Sequence, residues 1–231
     1  MLSPAGRPST TFCRRCTGAA ALAVSLSGSA ALMSVALSSS RYWWLGCVTL
    51  IPLFLAIRVL SPAMASLAGA HWGASLFVAC ATLGAAPFAE PLQSLGLLVI
   101  VPALYAAAAS VVTRRNGFHP LLLALGWAGV EFALKPLALH HGLLAGTQGD
   151  GWFVRAAGQM GGYVFVAFLL AGVNAVLLSV LSGVRVSAPR PLVLKAAIDS
   201  GMRLIFRDFV LLVRHFIRPS QPRAPPLDAT L

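Results

Sequence analysis

The sequence predicts an all-α membrane protein, a polytopic bundle of about six transmembrane helices followed by a C-terminal amphipathic helix at the membrane interface. Hydrophobic residues make up 58% of the chain and charged residues only 10%, a balance outside the range of soluble domains. The apolar residues stand in long runs without the alternation of barrel strands. Because a bilayer admits only helices and closed barrels, these runs indicate helices.

Six apolar runs approach or exceed the roughly 20 residues that a helix needs to cross a membrane. They cover residues 17–38, 42–60, 62–85, 92–113, 118–138 and 156–182. The first run also fits a signal peptide, since arginines precede it, but we expect a retained helix. The chain is thus predicted to divide into a cytoplasmic tail (1–16), a six-helix membrane domain (17–185), a cytoplasmic amphipathic helix (186–219) and a disordered tail (220–231).

The basic residues predict the orientation, because Lys and Arg are retained on the cytoplasmic side of membrane proteins. With the N-terminus inside, all of the 17 Lys and Arg residues except Arg41, Lys135 and Arg155 fall on that side. Topology therefore accounts for most of the net charge of +11, and we expect no nucleic-acid partner. The expected location is the bacterial inner membrane, with both termini in the cytoplasm.

The segment 191–219 differs from the six apolar runs because charges recur along it. Apolar residues at every third or fourth position form one face. Another face carries the basic residues Lys195, Arg203, Arg207, Arg214 and Arg218. Each charge would cost about 2.5–3.5 kcal/mol inside the bilayer, so this helix should not span it. It is expected either to lie on anionic headgroups or to pack against a partner protein.

Glu131 is the one acid well inside an apolar run, where ionisable groups are costly and indicate a function. Lys135 follows one turn later, an order that favours a salt bridge with Glu131. The alternative is a binding site for a lipid headgroup, formed by Trp127, Glu131 and Lys135, with Lys135 on a phosphate and Glu131 on an ammonium group. An aromatic belt at the span ends is expected from Trp43, Trp44, Trp127 and Trp152.

Other residue patterns give weaker signals. Cys13 and Cys16 supply two ligands where a structural zinc site needs four, so we expect no metal and no cofactor. His71 lies within the third span, where a neutral histidine bonded to a neighbouring helix is expected rather than a metal ligand. Close helix packing is expected at the small residues Gly28, Ala65, Gly69 and Gly73.

Short motifs follow one another in order along the membrane domain. The second span has Trp44-Leu45-Gly46 and then Leu50-Ile51-Pro52-Leu53, and the third has Gly69, Trp72, Gly73 and Phe77. Later come Trp127 with Glu131-Phe132, Gly146-x-Gln148, Gly161-Gly162-Tyr163, Phe168 and Val173-Asn174-Ala175. In this order and spacing, residues 17–185 resemble the N-terminal membrane half of bacterial apolipoprotein N-acyltransferase.

That resemblance implies a periplasmic nitrilase-like domain, whose Glu-Lys-Cys triad forms a thioester and passes the acyl chain from a phospholipid to a lipoprotein amine. Residues 183–231 contain no Cys and no Glu, so they hold neither the nucleophile nor the carboxylate base. The family's Arg after its Glu-Phe pair would fall at Leu134. We therefore expect no catalytic residue and no enzyme activity from this chain on its own.

Two functions are compatible with these features. The first is a non-catalytic accessory or structural subunit, or a lipid-binding module, of an inner-membrane complex, with membrane lipids and other membrane-protein subunits as partners. The second is the membrane half of a split or degenerate acyltransferase, which handles phospholipid and lipoprotein with a separate catalytic partner. A small transporter is disfavoured because the spans hold one acid and no paired, broken polar helices.

Overall fold

The structure is a computed structural model that describes residues 10–85, 91–135, 142–148 and 152–183. The amphipathic helix expected at 186–219, with its basic residues, and the tail expected at 220–231 lie outside this part of the chain. Both therefore stay predictions. All of the structural statements below concern the described residues.

Six α-helices and two short 3₁₀ helices form the described part of the chain, in which there is no strand. In order they are α1 (Thr10–Ser38), the first 3₁₀ helix (Ser40–Cys47), α2 (Ile51–Val59), α3 (Pro62–Leu83), α4 (Pro91–Asn116), α5 (Pro120–Ala133), the second 3₁₀ helix (Ala145–Gln148) and α6 (Trp152–Leu181). Five stretches are long and apolar enough to cross a membrane: Gly18–Ser38, Ser40–Val59, Pro62–Leu83, Pro91–Asn116 and Ala156–Leu181. The predicted all-α membrane bundle is confirmed.

The fifth helix is shorter than the predicted run 118–138. α5 has 14 residues, which corresponds to a length of about 21 Å. It ends two residues before Lys135, and Pro136 disfavours a helical conformation at the residue that precedes it. Residues 142–148, which include the second 3₁₀ helix, contact the C-terminal end of α5 through Glu131.

Helix α1 contributes to the core of the bundle. The side chains of Leu26, Ala30 and Met33 are buried, and Ser29 Oγ accepts a hydrogen bond of 3.0 Å from Trp72 Nε1 on α3. A buried hydrogen bond of this kind fixes the axial position of one helix relative to the other. The first apolar run is therefore an integral helix of the bundle.

Helices α3 and α4 approach each other closely at two glycines of α3. A Cβ atom at Gly69 would overlap the backbone carbonyl of Pro102, and one at Gly73 would overlap the carbonyl oxygen of Leu98. Small residues permit such backbone contact between membrane helices. The packing role expected of Gly69 and Gly73 is confirmed. At Gly28 a Cβ atom would meet no atom within 4 Å, so among the described residues of one chain no helix approaches closely there.

We predict that Gly73→Ala lowers the free energy of unfolding by roughly 1–3 kcal/mol, because the added methyl group forces α3 away from α4. Gly96→Ala on α4 is the matched control, since a Cβ atom at Gly96 meets nothing within 4 Å. It should be neutral or slightly stabilising, because Ala has the higher helix propensity. Thermal unfolding of both variants in the same detergent measures the difference, and equal melting temperatures would contradict the close packing.

Candidate functional site

Glu131 lies at the centre of a buried polar cluster at the C-terminal end of α5. Its side chain is 1% exposed, and its two carboxylate oxygens accept three hydrogen bonds. The backbone N–H groups of Leu143 and Leu144 donate to Oε2 and Oε1, each at 2.6 Å, and Trp127 Nε1 donates to Oε1 at 3.2 Å. Because a buried carboxylate is costly without donors, these bonds attach residues 142–148 firmly to α5.

Gly142 allows the chain to turn over this carboxylate. Its φ angle of 72° lies in the left-handed region, which favours glycine. A Cβ atom there would stand 2.6 Å from Glu131 Oε2 and 2.7 Å from Cδ2 of Tyr163, a residue of α6. Glycine is thus needed for both conformation and space, and it brings the next two backbone N–H groups onto Glu131.

Aromatic contacts fix the indole that donates to Glu131. Trp127 is completely buried and packs edge-to-face against Trp72 and Tyr105, with ring centroids 5.6 and 5.5 Å away. Tyr105 Oη donates to the carbonyl of Leu123 at 2.9 Å, which ties α4 to α5. Each aromatic pair adds about 0.5–1.5 kcal/mol beyond its buried area. The orientation of the Trp127 N–H group is therefore set by three helices.

A second buried polar residue, Asn174 on α6, bonds the backbone where the second span changes from a 3₁₀ helix to an α-helix. Its Oδ1 accepts from Leu50 N at 2.9 Å, and its Nδ2 donates to Gly46 O at 2.9 Å and to Leu170 O at 2.8 Å. Helix ends leave backbone groups without intrahelical partners. The Asn174 side chain supplies those partners inside the bundle.

The second 3₁₀ helix connects these two polar residues. Thr147 Oγ1 donates to Leu144 O at 2.7 Å, and Gln148 Nε2 donates to Trp43 O at 2.9 Å and to Thr147 Oγ1 at 3.1 Å. A Cβ atom at Gly46 would overlap Thr147 Oγ1, so the two 3₁₀ helices lie in close contact. We call this connected set the polar layer; its side chains are Glu131, Thr147, Gln148 and Asn174.

The polar layer contains side chains from motifs that are far apart in the sequence. Gly46, Glu131, Gln148 and Asn174 belong to four separate motifs of the resemblance described above, and they meet at one end of the bundle. Its acid and amide groups are all engaged in hydrogen bonds. This arrangement holds backbone in place rather than presenting a free base, because Glu131 already binds three donors.

The three residues predicted to bind a headgroup have different environments. Trp127 and Glu131 are buried, whereas Lys135 is exposed just beyond the end of α5. The alternative salt bridge between Glu131 and Lys135 is wrong, because within the described residues no ion pair joins them and Glu131 binds N–H groups instead. The helix ends before Lys135, so the i,i+4 geometry on which that pair depends is lost.

The aromatic belt is only partly as expected. Trp43 and Trp44 are 52% and 53% exposed on the first 3₁₀ helix, in agreement with an interfacial position. Trp127 is completely buried, so for this residue the belt prediction is wrong. The side chain of Trp152 lies outside the description.

Some groups of the site are not identified by the sequence patterns. The donors to Glu131 are mostly backbone N–H groups, whose positions depend on a turn and not on a side-chain motif. A usable signal is Gly142, which separates a pair of histidines from the apolar residues Leu143 and Leu144. Among the described residues, no group of three or more His, Cys, Asp or Glu could hold a metal ion.

We predict that Glu131→Gln destabilises the bundle by roughly 1–3 kcal/mol although the two side chains have the same shape. The amide nitrogen of Gln must face a backbone N–H group that now bonds to an acceptor, which leaves a buried donor unpaired. Trp127→Phe removes one donor and also leaves a cavity beside Trp72 and Tyr105, so it should destabilise the bundle as well. Thermal unfolding in nanodiscs and proteolysis near residues 142–148 measure the change. A melting temperature equal to that of the unchanged protein would contradict the assigned role.

Comparison with known proteins gives one match. A family model described as the apolipoprotein N-acyltransferase N-terminal domain matches residues 29–176. No match was found among curated proteins or among solved structures. The matched residues include the whole polar layer and cover more than half of the chain. The chain is therefore a membrane protein that belongs to the apolipoprotein N-acyltransferase N-terminal domain family.

Proposed function

We propose that this chain is a non-catalytic, lipid-binding accessory subunit of an inner-membrane complex, with both termini in the cytoplasm. The observation that supports this most is the use of Glu131: its carboxylate holds residues 142–148 against α5 while Lys135 stays exposed nearby. A carboxylate that accepts three hydrogen bonds is suited to positioning, and an exposed ammonium group just beyond the end of a membrane helix is suited to binding phosphate.

In this proposal, Lys135 contacts the phosphate of a phospholipid directly. Glu131 acts through the backbone that it holds, and Trp127 acts through its hydrogen bond to Glu131, so both are positioning residues for the same site. Trp43 and Trp44 lie exposed at the same end of the bundle, because Trp43 O bonds to Gln148 in the polar layer. Amphipathic indole rings suit the headgroup region, so these residues mark the depth at which Lys135 would meet a phosphate.

The family match favours a second candidate function. The chain would be the membrane half of a split or degenerate apolipoprotein N-acyltransferase, which presents phospholipid and lipoprotein to a separate catalytic partner. Both candidates share phospholipid binding. They differ in whether acyl transfer depends on this chain.

We predict that Lys135→Ala weakens phospholipid binding about fivefold, because one cation near an anionic surface contributes about 1 kcal/mol. Lys135→Arg is the matched control, since it keeps the charge and should bind within about twofold of the unchanged protein. Lipid titration followed by native mass spectrometry measures both variants. Equal affinities for the Ala and Arg variants would refute a headgroup contact at Lys135.

The two candidate functions are separated by reconstitution. The chain is placed in liposomes with a labelled phospholipid, a lipoprotein substrate and a separately produced nitrilase-like domain. The accessory function predicts acyl transfer at the same rate with and without this chain. A rate increase that Lys135→Ala removes would favour the split-enzyme alternative.

A further inference from the structure

A polar cluster lies on the outer surface of the bundle, where α1 meets α3. His71 Nε2 lies 2.9 Å from Ser27 Oγ and 3.3 Å from the carbonyl oxygen of Ala23, and Ser27 Oγ lies 3.2 Å from Ser75 Oγ. His71 is exposed, and the two serines are half-buried. The expectation that His71 bonds to a neighbouring helix is confirmed, but its ring is also accessible from outside.

This cluster lies near the middle of the membrane-spanning stretches. Ser27 is nine residues after the start of Gly18–Ser38, and His71 is nine residues after the start of Pro62–Leu83. A rise of 1.5 Å per residue places both about 14 Å from one end, close to half of the roughly 30 Å hydrocarbon core. Polar groups that face lipid at this depth are costly, so this part of the surface is poorly suited to acyl chains.

The hydrogen bonds of the cluster use one ring nitrogen of His71 and leave the other unpaired. Both contacts of the ring are made by Nε2. Among the described residues, Nδ1 has no hydrogen-bond partner. A neutral imidazole carries its proton on one nitrogen, so Nδ1 is a donor in one tautomer and an acceptor in the other.

We propose that this face, formed by Ser27 and Gly28 on α1 and by His71 and Ser75 on α3, docks a second copy of the chain in a two-fold symmetric dimer. A symmetry axis along the membrane normal brings each residue against the partner's surface at its own depth. Since Nδ1 of His71 can be a donor or an acceptor, two copies whose rings hold opposite tautomers supply each other's missing partner at that depth. Because an identical face can bond to the unpaired ring nitrogen and an apolar helix cannot, a second copy is favoured over an apolar partner helix.

Gly28 gives the face the shape that a close helix contact needs. It is exposed, and a Cβ atom there would meet nothing within 4 Å. Membrane helices associate where small residues let their backbones approach and where polar side chains bond across the contact. Successive helical residues lie about 100° apart around the axis, so Gly28 lies beside Ser27 on the exposed side of α1, and a partner helix can contact both.

The proposal is tested by measuring self-association in lipid bilayers. The full chain carries a fluorophore, and photobleaching steps are counted over a range of protein-to-lipid ratios. His71→Leu should weaken dimerisation about threefold to tenfold, the range expected for interhelical hydrogen bonds in lipid. Gly28→Leu should weaken it similarly by filling the contact, while the monomer keeps its melting temperature because the position is open. This second variant separates lost docking from lost folding.

Two controls lie away from the proposed contact. Leu104→Ala and Val176→Ala change exposed residues of α4 and α6, two helices that do not form the proposed face. Both should dimerise like the unchanged protein. A chain that is monomeric at every ratio, or a dimer that His71→Leu and Gly28→Leu leave unchanged, overturns the proposal. A different membrane protein that co-purifies through His71, without self-association, also overturns it.

Discussion

The carboxylate of Glu131, bound by the N–H groups of Leu143 and Leu144, is the interaction on which the end of this bundle depends. Inside a membrane, backbone that leaves the helical conformation loses its internal hydrogen bonds and finds no water to replace them. Leu143 and Leu144, which precede the second 3₁₀ helix, are in this position. Glu131 supplies the acceptor for both N–H groups. Without this acceptor, two buried donors would face an apolar interior.

The same requirement explains the role of Asn174. The second span is interrupted between its 3₁₀ helix and α2, and one amide side chain bonds both an N–H group and a carbonyl of that break. Glu131 suits residues 142–148 because the backbone groups that need partners there are N–H donors, and a carboxylate only accepts. Asn174 suits the break in the second span because one N–H group and one carbonyl need partners there, and an amide offers both an acceptor and a donor. The chemistry of each side chain thus matches the backbone groups that its break leaves unpaired. Gln148 and Thr147 link the two positions into one layer.

The sequence is sufficient to predict the helices because each span is a long apolar run, and the observed elements follow these runs closely. It fails at the end of α5, where the helix ends at Ala133 and Lys135 no longer follows helical periodicity. A salt bridge between Glu131 and Lys135 is the natural expectation for an isolated helix, but backbone donors from residues 142–148 take the carboxylate instead. Trp127 lies near a predicted span end like Trp43 and Trp44, yet only tertiary packing decides that it turns inward against Trp72 and Tyr105.

Two sets of polar side chains in the described bundle differ in how far they are paired. In the polar layer, Glu131, Thr147, Gln148 and Asn174 all make hydrogen bonds within one chain. At the α1–α3 face, His71 and the two serines satisfy one another only in part, at a depth where lipid offers no hydrogen bonds. The cost of unpaired polar groups in lipid therefore favours association at the α1–α3 face, because a second copy can reach the ring nitrogen that remains unpaired there.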